Sequence, residues 1–282
     1  MTLTNNSLTL FFFQEEHTLI SHTAPVYSIA YHEGFLYSAS GDKSIARWDV
    51  KTGQADNFLI RLDVAPYKIF VIEEYGQLII GLNNGKIYVI DLALKQELHI
   101  LESHESAIFS MEFNHNDGHF YAGDKDGLLS VWDVKTWSQL FTFKLNGGRL
   151  RAIHYVENDH ILLVGKYNGK ISVYETEFYN EILSFQAHNT GVSSLTFDTN
   201  TKMIISGGQN ALIKSWDLNG SLSKSIPAQA GKVGGSAGYV FYETYDGYNF
   251  RSLDALAEQE PKGNYLFSNT DDIPQEYTAK IL

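Results

Sequence analysis

The 282-residue chain contains no cysteine, which removes disulfides, thiolate metal sites and thiol redox chemistry together. It holds only 5 prolines and 3 methionines. No run reaches the ~18 apolar residues that a membrane helix needs, so a transmembrane helix is not expected. The one apolar stretch near the start, Leu8 to Phe13, has no Lys or Arg before it and no small-residue cleavage site after it. This disfavours a secretory leader, and a soluble, cytoplasmic chain is expected. Cations are also scarce: 21 Lys and Arg stand against 33 Asp and Glu, a net charge of −12. That disfavours a broad electrostatic footprint for nucleic acid.

Catalytic signatures are equally sparse. The sequence has no G-x-S-x-G elbow, no P-loop, no G-x-G-x-x-G opening a helix and no H-E-x-x-H. His115 and His119 stand four apart in a loop region, where the spacing fixes no metal geometry, and they read as surface polar residues. No catalytic residue, metal ligand or cofactor is expected, and the chain reads as a non-enzyme.

What the sequence does have is aromatic residues and a repeat. With 17 Tyr and 17 Phe it suits pleated sheets. Asp or Asn recurs at 42, 84, 126, 168 and 210, and a bulky residue at 48, 90, 132, 174 and 216. Both series step by 42 residues. Three copies end in a Trp-Asp pair, at 48–49, 132–133 and 216–217, and two degenerate copies carry Ile90-Asp91 and Tyr174-Glu175. Each unit reads as four short strands with turns at Gly or Asp. In the first unit these are Val26 to Tyr31, Phe35 to Ser40, Ser44 to Asp49 and Asn57 to Ile60. A period of this length with four strands per unit is that of a propeller blade, and blades must stack because one alone cannot bury both faces.

The region from about His17 to Pro227 resembles the WD40 repeat family. The resemblance implies an all-β propeller with five clear blades and a possible sixth. It also implies a hydrogen-bonded tetrad of His, Ser, Asp and Trp inside a blade. Carried over residue by residue, the first unit supplies His22, Ser38, Asp42 and Trp48. The third supplies His104, Asp126 and Trp132, with Ala122 where Ser is expected. The fifth supplies His188, Ser206 and Trp216, with Asn210 for Asp. These groups are structural: a buried indole N–H needs an acceptor, and the hydroxyl provides it.

The organisation read from the sequence is a propeller over 1–228, a linker over 229–238 and a ββα-like tail over 239–282. The tail comprises a hairpin around Asp246-Gly247 and a short helix from Ser252 to Pro261. It does not match the WD40 pattern, and over a short stretch it is similar to baseplate-hub-like segments of tailed phages. Two arrangements stay open. In one, N-terminal strands at Leu8 to Phe13 and Glu16 to His22 join the hairpin in a closing blade. In the other, the tail is an appendage on a truncated or fused propeller.

WD40 proteins use the narrow face around the channel to hold partners. The positions expected there are Tyr27, Lys68, Phe109, Arg151 and Ser193 after the first core residue of each inner strand. Lys125, Tyr167 and Gln209 precede the turn Asp or Asn, and Arg149 lies two residues before Arg151. Aromatics sit among cations with no carboxylate, on an acidic chain. The expected function is therefore a protein-interaction scaffold binding a peptide or protein, acidic or phosphorylated, without nucleic acid or membrane. The alternative is a structural component of a larger assembly.

Overall fold

In the computed structural model, residues 19, 21–210, 212–227, 243–245 and 248–250 are described. The linker at 229–238, the helix at 252–261 and the N-terminal strand at Leu8 to Phe13 fall outside these residues. The second N-terminal strand, placed at Glu16 to His22, falls mostly outside them.

Twenty strands form five four-stranded antiparallel sheets, each a simple meander. Blade one comprises β1 (Val26–His32), β2 (Phe35–Ser40), β3 (Ser44–Asp49) and β4 (Gln54–Arg61). Blade two comprises β5 (Pro66–Ile72), β6 (Gln77–Leu82), β7 (Ile87–Asp91) and β8 (Gln96–Leu101). Blade three comprises β9 (Ile108–Asn114), β10 (His119–Asp124), β11 (Leu128–Asp133) and β12 (Ser138–Lys144). Blade four comprises β13 (Leu150–Val156), β14 (Ile161–Lys166), β15 (Lys170–Glu175) and β16 (Glu181–Gln186). Blade five comprises β17 (Val192–Asp198), β18 (Met203–Gly208), β19 (Leu212–Trp216) and β20 (Leu222–Pro227). The outer strand of blade one begins three residues earlier than the sequence pattern suggests. A further pair, β21 (Glu243–Tyr245) and β22 (Tyr248–Phe250), makes a two-stranded sheet within the span of the expected hairpin.

Strand period explains why the second strands read as unbroken apolar runs. Side chains alternate between faces, and an inner blade is covered on both. In β14, Leu162 and Val164 pack toward blade three with Val131 and Tyr121, whereas Leu163 packs toward blade five with Val192 and Phe197. In β6, Leu78 and Ile80 pack toward blade one and Ile79 toward blade three. All of these side chains are fully buried. The first strand of each blade neighbours that of the next, so β1, β5, β9, β13 and β17 form the inner wall.

The tetrads tie strands together within a blade. In blade one, His22 Nδ1 lies 2.9 Å from Asp42 Oδ2 and Nε2 lies 2.7 Å from Ser38 Oγ, while Trp48 Nε1 donates to Ser38 Oγ at 2.8 Å. A carboxylate only accepts, so the imidazole proton sits on Nδ1 and the serine hydroxyl donates to Nε2. Blade five repeats the chain with Asn210: His188 Nδ1 to Asn210 Oδ1 at 3.2 Å, Nε2 to Ser206 Oγ at 2.8 Å, and Trp216 Nε1 to Ser206 Oγ at 2.9 Å.

Blade three corrects the assignment of Asp126. Its His104 is held by Asp124 Oδ2 at 3.0 Å and faces Ser130 Oγ at 2.7 Å, and Trp132 Nε1 donates to Ser130 at 2.9 Å. Asp126 is exposed and contributes its backbone N–H to Asp124 Oδ1. The hydroxyl has crossed the ladder. Ser38 pairs with Ala46 in blade one, whereas Ala122 pairs with Ser130 in blade three. Directly opposed residues share a face, so either strand can present the hydroxyl to the same indole.

The tetrads differ in charge. Burial raises the carboxyl of Asp42, but hydrogen bonds from Ser44, the Thr23 N–H and His22 outweigh it and hold the group at about 2. Burial, aided by Lys214, pushes His188 down to about 4, and Asn210 carries no charge to oppose this. Unfolded His188 therefore takes up a proton before the folded form does. The stability it confers is whole above its ordinary value of 6.5 and is lost as pH falls toward about 4. Replacing Asn210→Asp is expected to raise the His188 pKa and shrink the fall in melting temperature between pH 7 and pH 5. Scanning calorimetry of both proteins at the two pH values checks this; an equal fall in the variant refutes it.

Candidate functional site on the face of the turns

Every inner strand begins with the same irregularity. The ladder shifts register between Val26 and Ser28, Pro66 and Lys68, Leu150 and Ala152, and Val192 and Ser194. In blade three Ser110 pairs with Gly123 and Ile108 with Asp124, which leaves Phe109 over. The residues that the ladder register skips are Tyr27, Tyr67, Phe109, Arg151 and Ser193. A bulge re-aims its side chain away from the strict alternation of the strand, so each blade delivers one such residue at the same end of the inner wall.

A second device fixes a neighbour to each. The residue before the turn donates its backbone N–H to the residue two positions before the bulge. These bonds run Gly41 to Pro25 at 2.9 Å, Asn83 to Ala65 at 3.0 Å, Lys125 to Ala107 at 2.8 Å, Tyr167 to Arg149 at 3.0 Å and Gln209 to Gly191 at 3.0 Å. Three side-chain positions per blade are thereby brought together on one face.

The sequence register placed Lys68 among them; the structure puts Tyr67 there instead. Lys68 pairs with Gly81 within the ladder. Tyr67 joins Tyr27 and Phe109 in a continuous aromatic row. Tyr27 stacks on Tyr67 with ring centroids 4.7 Å apart, and Tyr67 meets Phe109 edge-on at 5.4 Å. The Arg151 guanidinium closes the row, 4.8 Å above the Phe109 ring. In blade four Arg149 lies 5.0 Å above Tyr167, whose ring is 47% exposed. Lys125 is exposed, and Gln209 is half-buried against Gly191, whose missing Cβ would lie 3.2 Å from the Gln209 amide. Ser193 turns inward, is buried and donates to the Gly207 carbonyl at 3.0 Å, so blade five offers only Gln209.

The sequence candidates Tyr27, Phe109, Lys125, Arg149, Arg151, Tyr167 and Gln209 thus occupy equivalent positions on one face. Arginine over a ring is pre-positioned by its cation–π contact, and its planar fork matches a carboxylate or phosphate. Among the described residues, no group of three or more His, Asp or Glu could hold a metal ion. His115 Nδ1 instead contacts Glu74 Oε1 at 2.7 Å, and His119 Nδ1 contacts the Tyr179 hydroxyl at 3.2 Å. No described helix is long and apolar enough to cross a membrane.

The family described as WD domain, G-beta repeat matches residues 13–49, 95–133 and 179–217. Three stretches of the chain match the WD40 repeat, and the fold is that of a WD40-type propeller. The matches end at residue 217, and none falls on the tail. The WD40 fold is shared with the solved "Structure of U3-55K", at 16% identity over 79% of this chain and 72% of that one, with a TM-score of 0.70. It is shared equally with the "Crystal structure of RRP9 WD40 repeats", at 16% identity over 79% and 71% of the two chains, TM-score 0.70. The computationally designed Ika8 protein matches at 23% identity over 85% and 72%, TM-score 0.63. No curated protein matches the sequence. WD40 propellers serve in general as protein-interaction scaffolds and are generally not enzymes, which fits a face built of aromatics, cations and amides.

Proposed function

We propose that this WD40 propeller is a non-catalytic scaffold that grips an acidic or phosphorylated peptide segment on the face of the turns. The carrying observation is the coupling of two elements. An aromatic row crosses blades one to three, and two arginines two residues apart in blade four stack on Phe109 and Tyr167. The arginines supply charge-assisted hydrogen bonds to the anionic group, and the row of rings accepts the apolar side chains beside it. Arg is enriched in such roles because its planar fork matches both carboxylate and phosphate.

The test is the double reversal Arg149→Glu and Arg151→Glu. Charge-assisted bonds contribute about 1.5–3 kcal/mol each, so loss of two weakens binding by at least ~100-fold. Affinity capture followed by calorimetry on the captured acidic segment is expected to show this loss, at an unchanged melting temperature. Undiminished capture by the variant overturns the proposal. Binding that depends steeply on salt and is competed by single-stranded nucleic acid would point to the aromatic row as a base-stacking platform instead.

A further inference from the structure

Three observations meet at the outer edge of blade three. The first is charge. On a chain of net charge −12, residues 134–156 hold no Asp or Glu, but they hold Lys135, Lys144, Arg149 and Arg151. This stretch is one continuous path through the fold. It leaves the turn after β11, climbs β12 at the rim, crosses the face of the turns and descends β13. Its two arginines are those that the capture reading uses.

The second observation is the edge itself. β12 is the last strand of its sheet, and its ladder with β11 fixes which way its backbone points. The Leu145 N–H donates to the Gly127 carbonyl at 2.8 Å, and from there Leu128 pairs with Lys144, Leu129 with Phe143, Ser130 with Thr142 and Val131 with Phe141. In an antiparallel ladder, opposed residues alternate between exchanging hydrogen bonds and exchanging none. Phe141 and Phe143 therefore bond to β11, and the N–H and C=O groups of Thr142 and Lys144 face away from it. Every residue of β12 except Phe143 is exposed. The register skips Leu140, so the regular edge runs from 141 to 144.

The third observation separates this edge from the others. Charge on an edge strand discourages the addition of a further strand. β4 carries Asp56, β8 Glu97 and β16 Glu181, each of which would repel an acidic segment. β20 ends on Pro227, which has no N–H to offer. The one charge on β12 is Lys144, which would attract such a segment. Beside it Phe141 stands in an aromatic corner, its ring centroid 6.0 Å from that of Phe143 and 5.6 Å from that of Tyr179, and it stays half-exposed.

We propose that the acidic segment held by Arg149 and Arg151 runs outward over the rim and adds to β12 as a fifth strand along residues 141–144. The proposal rests on the capture reading above and extends it from an anchor to a path. Main-chain hydrogen bonds to Thr142 and Lys144 set the course of the segment, while side-chain contacts select its sequence. Lys144 takes a carboxylate, and Phe141 takes an apolar side chain as a cross-strand neighbour. The partner is thus an extended segment with its anionic group over the arginines and an apolar residue at the rim.

The probe is an acidic peptide selected from a random display library on the full chain and then synthesised. Amide exchange is followed residue by residue by NMR. On peptide binding, the Thr142 and Lys144 amides are expected to slow at least tenfold, whereas those of Phe141 and Phe143, already bonded to β11, keep their rates. Thr142→Pro removes one outward N–H and no ladder bond, and it is expected to weaken the peptide about tenfold at an unchanged melting temperature. Where that variant fails to fold, the alternating exchange pattern decides alone. If Arg149→Glu with Arg151→Glu abolishes binding but the Thr142 and Lys144 amides do not slow, the added strand is overturned and the capture reading stands. A peptide that binds the arginine reversal undiminished overturns both. Protection of Thr142 and Lys144 in the unbound chain that grows with protein concentration refutes the proposal too, because it seats a second copy of this chain on the edge.

Discussion

Replacing Asp124→Ala is expected to destabilise the protein by about 2–4 kcal/mol, and Asp126→Ala by less than about 0.5 kcal/mol. Asp124 is only 2% exposed. Its Oδ2 accepts from His104 Nδ1, and its Oδ1 accepts the backbone N–H groups of Asp126 and Leu128, both at 2.8 Å. Alanine leaves these donors without acceptors and also frees the imidazole that Ser130 needs. Burial raises the Asp124 carboxyl, yet the bonds from His104 and Leu128 hold it below the ordinary range, so the ionised form is the one that does this work. Ser130→Ala is expected to be similarly costly, since it orphans the Trp132 N–H. The double change Ala122→Ser with Ser130→Ala should recover most of that loss, because it returns the hydroxyl to the strand that bears it in blade one. Urea denaturation of the four variants decides the matter. An Asp126→Ala protein weaker than Asp124→Ala contradicts the tetrad described here.

Gly169→Ala is expected to cost about 3 kcal/mol or more, against about 1 kcal/mol for Gly34→Ala. The two glycines have nearly the same backbone, φ +83° and +82°. They differ in surroundings. A Cβ on Gly34 meets nothing within 4 Å, whereas one on Gly169 would lie 2.0 Å from the His188 carbonyl oxygen and 2.5 Å from that of Thr190. Neither is a side-chain end that can swing aside. The Gly169 carbonyl also accepts from the N–H groups of Ala187 and His188, both at 3.0 Å. The clash therefore pushes the loop carrying the blade-five histidine away from the turn that bears Tyr167. Thermal melts should separate the two variants by several degrees for a domain of this size, and equal melting temperatures would show that the turn yields without strain.

Much of this was legible in the sequence because the repeat is a spacing, and spacing survives changes of residue type. Blades two and four lack the Trp and the His, yet Asn84 and Asn168 keep the turn: their side chains accept the N–H groups of Lys86 and Lys170. Apolar runs such as Leu78-Ile79-Ile80 marked strands covered on both faces.

Two assignments failed for reasons of local geometry. The turn between β1 and β2 has two residues, Glu33-Gly34, where the one between β5 and β6 has four, Glu73 to Gly76. Counting between units therefore slips around the first blade: 42 residues on from Tyr27 is Ile69, two past Tyr67, and the assignment to Lys68 falls between them. A Tyr-Lys pair just after a proline gave no further cue, since a bulge is invisible to a pattern that assumes strict alternation. Asp124 was passed over because counting by 42 falls on Asp126. Two aspartates two residues apart are separable only when the hydrogen-bond donors around them are known. The signal that could have pointed to blade three was its own anomaly, an Ala at 122 where a hydroxyl was required and a Ser at 130 on the next strand.

The bulges have a consequence for how this protein can change. A side chain thrown out of the ladder neither fills the core nor completes a strand's alternation. Residues 27, 67, 109 and 151 can therefore be exchanged with little tax on folding. Each belongs to a separate blade with its own tetrad or turn to hold it. Because each of the four touches the next, the face is a row of letters on a fixed frame that are read together. A library varying only these four positions together should yield folded proteins at high frequency.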